Sequence, residues 1–253
     1  MKYNLENEIA TRTTKNIYKD ENSVIKLFVC NYSKANILNE ALNQARVEEG
    51  TDLNIPKLKE VVKLDDRWAL VSEYAEGKSL EEMMIENPDK EDEYLELFVD
   101  IQLEILSKKV PLLNRIKDKF KRKLNGTSLI DETTKYELLQ RLEGMKDHTK
   151  LCHGDFNPSN VIITPEGEHY IIDWSHATEG NASADSARTF LIFSMEGKTK
   201  LADKYLELFA KKSNIDKANI QRWIPIVAAT QLTKGNKEEQ EFLSKWIDVA
   251  DYE

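Results

Sequence analysis

The 253-residue sequence has few cysteines, and it contains no long apolar run. Its only two cysteines, Cys30 and Cys152, form no CxxC pair, which argues against a zinc site and against a disulfide framework. No segment is apolar over the length that a membrane-spanning helix needs, and the first residues lack the apolar region of a signal peptide. The sequence therefore predicts a protein of the reducing cytoplasm that has no membrane partner.

An excess of basic residues is also missing. The sequence has 36 Lys and Arg against 45 Asp and Glu, a net charge of −9 at pH 7. Proteins that bind nucleic acid need a basic face to neutralise phosphates, so this balance predicts no nucleic-acid partner. The acidic balance is compatible with a cationic small molecule, although most acidic proteins bind none. The sequence carries no signal for an oligomeric state.

Strand-like segments dominate the N-terminal part of the sequence. The runs KNIYK, SVIKLFV and WALVSEY are apolar or β-branched, and a tight turn at Asp20–Asn22 separates the first two. One helix, KANILNEALNQARVEEG, interrupts them, and Pro56 precedes a further strand pair. Helical spacing predicts one apolar face on this helix, formed by Ile37, Leu38, Ala41, Leu42 and Ala45.

Beyond Gly77 the periodicity is mainly helical. It is interrupted by two short strands, NVIIT and HYIIDW, around a turn at Pro165–Gly167. This order predicts an α+β fold with a small β-rich N-terminal lobe (residues 1–75) and a larger, mainly helical lobe (residues 76–253). The segment at about residues 72–78 would be the hinge.

Polar residues that can do chemistry concentrate in LCHGDFNPSNVIITPEGEHYIIDW. Carboxylates beside apolar residues are costly unless a metal or a reaction uses them. Asp155 and Asn160 have the D-x-x-x-x-N spacing of a kinase catalytic loop, in which the Asp accepts a hydroxyl proton and the Asn binds a metal ion. Asp173 ends the next strand, and the hairpin would return it beside Asn160 as the main Mg²⁺ ligand.

A kinase also needs a cation for the nucleotide phosphates. Lys26 lies in the apolar run SVIKLF, and Glu40 on the following helix could hold its ammonium group, with Glu48 and Glu49 as competitors for that role. The segment VSEYAEG would offer the carbonyl of Glu73 and the amide of Ala75 to an adenine edge.

Together these motifs resemble the aminoglycoside phosphotransferase and choline kinase family, whose fold is protein-kinase-like. The resemblance covers about residues 10–190 and rests on HGDFNPSN and IIDW, preceded in order by VIKLF, ILNEAL, IPKL and SEYAEGKSL. It implies that ATP, with GTP as the alternative, and Mg²⁺ are the cofactors. By position, Asp155 would be the catalytic base, with Mg²⁺ on Asn160 and Asp173. Lys26 and Glu40 would position the phosphates.

The resemblance also assigns supporting residues. In GNASADSAR (Gly180–Arg188), Asp185 resembles a buried carboxylate that braces the catalytic loop. The nucleotide loop ATRTTKN contains no glycine, so Thr13 and Thr14 would supply hydroxyls and amides to the phosphates. His153 is interpreted as a hydrogen-bonding residue that shapes the loop, the alternative being a metal ligand together with His176.

The expected function is an ATP- and Mg²⁺-dependent phosphotransferase that acts on a hydroxyl of a small molecule such as an aminoglycoside or an amino alcohol. Three alternatives stay open: a nucleotide-binding pseudokinase that acts as a scaffold, a small atypical protein kinase, and a metal-dependent phosphohydrolase. The glycine-free loop is the feature that favours the scaffold. Trp174-Ser175, in place of Phe-Gly after the metal-binding Asp, argues against regulation of the protein-kinase type.

Overall fold

The computed structural model describes residues 3–233 and 235–247. The N-terminal part is a five-stranded antiparallel sheet with the strand order β1-β2-β3-β5-β4. Its strands are β1 (Glu8–Arg12), β2 (Lys15–Asp20), β3 (Ser23–Phe28), β4 (Leu58–Leu64) and β5 (Arg67–Glu73). The strand-rich N-terminal part that the sequence predicts is therefore present. However, β1 occupies part of the segment that was predicted to be a nucleotide loop.

Tight turns set the register of this sheet. Asp65 and Asp66 join β4 to β5 with positive φ angles of 44° and 65°. Two consecutive residues in this conformation match the twist of the flanking strands, and Asp tolerates it better than most residues. Thr13 and Thr14 make the β1–β2 turn without a positive φ at either residue, so this turn does not require glycine.

Helix α1 (Lys34–Gly50) packs beside β4 and β5 and begins at Ser33, whose Oγ accepts a hydrogen bond from the Asn36 amide. The predicted apolar face of this helix is wrong in part, because Leu38 and Leu42 are 45% and 47% exposed. The helix is rotated so that polar side chains share its buried face with apolar ones. The buried residues are Ile37, Glu40, Ala41, Asn43, Gln44 and Val47.

A second, three-stranded sheet carries the predicted hairpin. It has the order β6-β8-β9, with β6 (Lys78–Ser79), β8 (Val161–Ile163) and β9 (His169–Ile171). Gly77 precedes β6 with a φ of 149°, and a Cβ at this position would lie 2.2 Å from the carbonyl oxygen of Ile163. The approach of β6 to β8 therefore requires glycine. Helix α2 (Leu80–Glu86) follows directly, capped reciprocally by Ser79 and Glu82.

The rest of the chain is mainly helical. Its helices are α3 (Glu91–Ser107), α4 (Ile116–Asn125), α5 (Glu132–Gly144), α6 (Ala182–Met195), α7 (Thr199–Ser213), α8 (Lys217–Gln221), α9 (Ile224–Leu232) and α10 (Lys237–Ser244). Two short strands, β7 (Lys150–Cys152) and β10 (Thr178–Gly180), pair antiparallel. T-shaped and tilted pairs of aromatic rings fill the core between α3, α6 and α7; the rings include Phe98, Phe193, Tyr205 and Phe209.

The acidic start of α3 has partners on α7. Lys204 contacts the carboxylates of Glu91 and Asp92, and Lys212 contacts those of Glu96 and Asp100. These pairs are largely exposed, so solvent screens them and each contributes little to stability. The acidic residues at the start of α3 therefore take part in the contact between α3 and α7.

The chain divides into two compact units. The sheet unit contains the residues up to Pro88 together with Pro158–His176, and the helical unit contains Asp89–Asn157 and the chain from Ala177 onward. This division differs from the predicted lobe boundary near residue 75, because β6 pairs with β8 and α2 contacts the turn at Pro158–Asn160. None of the helices in the described ranges is both long and apolar enough to cross a membrane.

Candidate active site

In the sheet unit, Lys26 lies at the centre of a cluster of charged side chains. Strand β3 directs Lys26 to the face covered by α1, where its Nζ donates to Glu40 Oε1 at 2.7 Å and to Asp173 Oδ1 at 3.4 Å. Glu48, a competitor for the role of Glu40, instead accepts a hydrogen bond from the amide of Leu58. The structure therefore brings together Lys26, Glu40 and Asp173, which are far apart in the sequence.

Lys15 is a fourth member of this cluster, and the sequence motifs did not predict it. Its Nζ lies 3.3 Å from Glu40 Oε1 and 3.6 Å from Asp173 Oδ2. Ile17 on β2 pairs with Lys26 on β3, and Lys15 lies two residues before Ile17, on the same face of the sheet. This alternation was the sequence signal that could have identified Lys15. We call these four residues, Lys15, Lys26, Glu40 and Asp173, the charge cluster.

The charge cluster holds two cations and two anions at low exposure. Burial by itself lowers the pKa of Lys26, but the nearby carboxylates of Asp173 and Glu40 outweigh it and raise that pKa above its ordinary value. Lys26 therefore stays protonated through the neutral pH range. A permanent ammonium group in this position can bind the phosphates of a nucleotide.

Asp173 has a constrained backbone. Its φ is 61°, in the left-handed region that non-glycine residues seldom adopt, and such outliers often occur at functional sites. The neighbouring residues hold this conformation: the Ile172 amide donates to the Asn160 carbonyl at 3.0 Å, and Asn43 Nδ2 of α1 donates to the Ser175 carbonyl at 3.3 Å. The first of these bonds ties the backbone beside Asp173 to that of Asn160.

The remaining predicted nucleotide residues lie elsewhere in the sheet unit. Thr13 and Thr14 form the β1–β2 turn, and the Thr14 carbonyl accepts a hydrogen bond from the Val29 amide at 3.0 Å. Glu73 ends β5 and donates its amide to the carbonyl of Lys57 at 2.9 Å. Ala75 follows two residues later, outside any strand. Thr14 directly precedes Lys15 in the chain, but among the described contacts no hydrogen bond or ion pair joins the side chains of these four residues to the charge cluster.

In the helical unit, Asp155 lies in a loop that hydrogen bonds hold on both sides. The Asp155 amide donates to His153 Nδ1 at 3.3 Å, and Asn157 Nδ2 donates to the Asp155 carbonyl at 2.9 Å. His153 is fully buried. Phe156 is buried as well and stacks on Phe98 with the ring centroids 4.4 Å apart. The loop therefore has a fixed backbone, and the side chain of Asp155 is 29% exposed.

Asp185 on α6 binds the backbone of this loop. Its Oδ1 accepts a hydrogen bond from the Gly154 amide at 2.7 Å, and its Oδ2 accepts one from Gln102 Nε2 at 3.3 Å. Burial raises the pKa of Asp185, although the hydrogen bonds from Gly154 and Gln102 oppose this shift. Gly154 has a φ of 78°, which glycine adopts without strain.

Arg188, one helical turn after Asp185, is a second residue that the sequence analysis gave no role. Its Nη2 donates to Asp155 Oδ1 at 2.8 Å, and its side chain is only 12% exposed. The spacing of Asp185 and Arg188 on one helix face was the available signal, but it has meaning only once α6 is known to pack on the loop. Asp155 therefore has a cationic partner within its own unit.

The donors of the sheet unit suit Mg²⁺. Asp173 offers a carboxylate and Asn160 an amide oxygen, and Mg²⁺ prefers such ligands in combination with water and phosphate oxygens. Within the described residues, no group of three His, Cys, Asp or Glu side chains has the arrangement of a metal site. A site that consists of one carboxylate and one amide therefore needs further ligands from water and from a bound nucleotide.

Comparisons with known proteins extend these observations. The APH family model, described as the phosphotransferase enzyme family, matches residues 64–219, more than half of the chain. None of the curated proteins compared with the chain matches it.

Several solved structures share the fold. A thermostable mutant of aminoglycoside phosphotransferase APH(4)-Ia, in its apo form, superposes with a TM-score of 0.71 at 14% identity, over 95% of this chain and 92% of that chain. Aminoglycoside-3'-phosphotransferase of type VIII gives a TM-score of 0.65 at 13% identity, over 90% and 93%. LicA in complex with AMP gives 0.62 at 17% identity, over 98% and 91%.

At these identities the structural likeness concerns the fold alone, and it confirms the predicted α+β, protein-kinase-like fold class. The family match is independent of it and covers both Asp155 and Asp173. The chain belongs to the phosphotransferase enzyme family.

Proposed function

We propose that this protein is a Mg²⁺-dependent phosphotransferase that moves the γ-phosphate of ATP to a hydroxyl group of a small molecule. The observation that carries the proposal is the charge cluster, in which Lys26 contacts both Glu40 and Asp173. A lysine held by a helix glutamate beside a metal-binding aspartate is the arrangement that positions nucleotide phosphates in kinases. Membership of the phosphotransferase family supports the same reaction class.

Lys26 and Lys15 would bind the phosphates. Both ammonium groups now contact the carboxylates of Glu40 and Asp173, so a bound nucleotide would take over part of these contacts. Glu40 would keep Lys26 oriented while this exchange occurs. Lys15 follows the Thr13–Thr14 turn directly, so it brings a positive charge to a loop that has no glycine.

The hinge at about residues 72–78 would hold the adenine ring. The amides of Glu73 and Tyr74 already donate to the carbonyls of Lys57 and Asn22. The next amide along the chain belongs to Ala75, and we assign it to the adenine edge together with the carbonyl of Glu73. Thr13 and Thr14 would add hydroxyl and amide contacts to the phosphates.

Asn160 and Asp173 would hold Mg²⁺. The ion, when bound, would neutralise charge on the phosphate oxygens. The hydrogen bond from the Ile172 amide to the Asn160 carbonyl keeps the two ligand-bearing segments adjacent. The left-handed backbone of Asp173 directs its carboxylate in a way that an extended residue at this position would not.

Asp155 would be the general base. The acceptor oxygen would attack the γ-phosphorus, the bond from that phosphorus to the β,γ-bridging oxygen would break, and ADP would leave. The proton of the acceptor hydroxyl would pass to the carboxylate of Asp155 and then to solvent. Positioning and charge neutralisation supply most of the rate enhancement in this reaction class.

The proposed acceptor is a small molecule that carries a hydroxyl group. Related folds include a mutant of APH(4)-Ia crystallised with ADP and hygromycin B. Aminoglycosides and amino alcohols are therefore the first acceptors to test, and a cationic acceptor would suit the net charge of −9. Fold alone does not fix the substrate, so the panel should also include neutral sugars.

A coupled assay of ADP release tests this proposal. Wild-type protein with Mg·ATP, and in parallel with Mg·GTP, is screened against the acceptor panel. Asp155→Ala is the blank, and Asp118→Ala, at an exposed position of α4, is the matched control. We expect acceptor-stimulated release from wild type and from Asp118→Ala only. Tight nucleotide binding without stimulated release would favour the scaffold function, and stimulation by a protein would favour an atypical protein kinase.

A further inference from the structure

One face of helix α6 contacts three consecutive residues of the catalytic loop. Asp185 Oδ1 accepts a hydrogen bond from the Gly154 amide at 2.7 Å, and Thr189 Oγ1 donates to the Phe156 carbonyl at 2.8 Å. Between these two contacts, Arg188 Nη2 donates to Asp155 Oδ1 at 2.8 Å. The outer two contacts hold backbone atoms, whereas Arg188 holds a side-chain carboxylate.

This difference distinguishes Arg188 from Asp185 and Thr189, which bind the backbone of the loop. Asp185 and Thr189 already fix the backbone on either side of Asp155, together with the stacking of Phe156 on Phe98. A purely structural helix face would not need a cation at position 188. A hydrogen-bonded ion pair at this place restricts the rotation of the Asp155 side chain.

Burial of the Arg188 guanidinium group is unfavourable. The side chain of Arg188 is only 12% exposed, and within the described part of the structure its buried Nη1 has no hydrogen-bond partner. Arg cannot lose its proton to relieve this cost, and a buried ion pair is often no more stable than an apolar replacement. A contribution to stability therefore does not explain the presence of an arginine at position 188. Orientation of the Asp155 carboxylate does explain it.

We propose that Arg188 is a positioning residue that orients the carboxylate of Asp155 for phosphoryl transfer. The inference rests on the proposed function, in which Asp155 accepts the proton of the acceptor hydroxyl. Arg188 binds one carboxylate oxygen while Asp155 takes up and releases the proton. Misplacement of a reacting group by about 1 Å can lower the rate about 10²-fold. The loss of rate on removal of this contact should therefore be measurable.

The first test is steady-state kinetics of Arg188→Ala and Arg188→Lys. We expect kcat of Arg188→Ala to fall about 10²-fold while the KM for ATP changes little, and Arg188→Lys to recover part of the loss. Added guanidinium ion should restore turnover to Arg188→Ala. Wild-type kcat in Arg188→Ala would overturn the proposal.

The matched control is Thr189→Ala, which removes the adjacent brace on Phe156 but no charge. We expect guanidinium ion to leave this variant unchanged. Loss of turnover in both variants with rescue of neither would show that α6 merely supports the loop, and would overturn a positioning role. Circular dichroism spectra of both variants would show whether they are folded.

A second measurement separates this inference from the proposed function. Unfolding temperatures are compared for wild type, Asp155→Ala, Arg188→Ala and the double variant. If no acceptor supports ADP release, the proposed function fails, and the thermal cycle alone decides whether Arg188 holds Asp155. Non-additive shifts would support that hold, and additive shifts would overturn it.

Discussion

The two candidate carboxylates are equally exposed but are held in different ways. The side chains of Asp173 in the sheet unit and Asp155 in the helical unit are each 29% exposed, and the cations beside them, Lys15, Lys26 and Arg188, are each 12% exposed. Asp173 contacts two lysines that also share Glu40. Asp155 accepts a hydrogen bond from Arg188, on a loop whose backbone is fixed from both sides.

This difference matches two kinds of chemistry. In the charge cluster, each lysine can exchange a carboxylate for a phosphate oxygen without losing every partner, which suits the binding and release of a charged ligand. In the helical unit, a fixed carboxylate suits proton transfer, which depends on orientation. Burial alone would not have separated the two roles.

Replacement of the proposed base should give the largest effect. Asp155→Asn keeps the shape of the side chain but cannot accept a proton, so we expect kcat to fall by about 10³-fold. The affinity for Mg·ATP, measured by titration calorimetry, should stay near that of wild type. Turnover at the wild-type rate would remove Asp155 from the mechanism.

Replacement of Asp185, which binds the backbone of the Asp155 loop, should lower the free energy of unfolding. Asp185→Ala leaves the Gly154 amide without its acceptor, and Gln102 Nε2 keeps only its bond to Thr189 Oγ1; an unsatisfied buried donor costs about 1–3 kcal/mol. Removal of a buried carboxylate returns part of this cost. We therefore expect a net loss of about 2 kcal/mol in urea unfolding, with Ser186→Ala on the same helix as the control. Equal stability of the two variants would contradict the brace.

Removal of Lys26 should act on nucleotide binding. Charged hydrogen bonds contribute about 1.5–3 kcal/mol, so we expect Lys26→Met to raise the KM for ATP roughly 30-fold. The effect on kcat should be smaller than that of Asp155→Asn. An unchanged KM for ATP would show that the charge cluster does not bind phosphates.

Lys15 should have a weaker effect of the same kind. Its contacts, at 3.3 and 3.6 Å, are longer than the 2.7 Å bond from Lys26 to Glu40, so we expect Lys15→Met to raise the KM for ATP roughly fivefold. Lys63→Met, at an exposed position of β4 in the same sheet, is the matched control. If Lys15→Met behaves like that control, Lys15 does not bind the nucleotide phosphates.

The smallest effect concerns pH. The pKa of Lys26 is raised, so its contribution to folding is complete below the ordinary lysine value of 10.5 and is lost only as the pH rises through the higher folded value. We therefore expect the affinity for ATP to be level from about pH 7 to about pH 10. A decline centred near pH 8, seen in wild type but absent in Lys26→Met, would contradict the charge cluster as described.

Local sequence motifs led to the candidate residues. Asp155, Asn160 and Asp173 lie within twenty residues of one another, so their spacing could be compared directly with a catalytic loop and metal-binding hairpin. Their roles stay predictions until the variants are measured. Lys15 and Arg188 were missed because their contacts depend on the register of β2 against β3 and on the face that α6 turns to the loop.

The errors in the fold have similar causes. Leu38 and Leu42 were assigned to a buried face, but α1 turns Glu40 inward toward Lys26, and the leucines become exposed as a result. Strands β7 and β10 were missed because they are short and far apart in the sequence, whereas the equally short β8 and β9 flank the turn at Pro165–Gly167. Hydrophobic periodicity therefore located the elements well but not the polar contacts that fix their orientation.

The most direct test of the account follows the phosphorus atoms. Wild-type protein is incubated with Mg·ATP and the best acceptor from the panel, and the products are observed by ³¹P NMR, with Asp155→Asn in parallel. The account predicts that the γ-phosphate signal is replaced by that of a phosphomonoester of the acceptor, in the wild type only. Formation of inorganic phosphate alone, or equal transfer by Asp155→Asn, would contradict it.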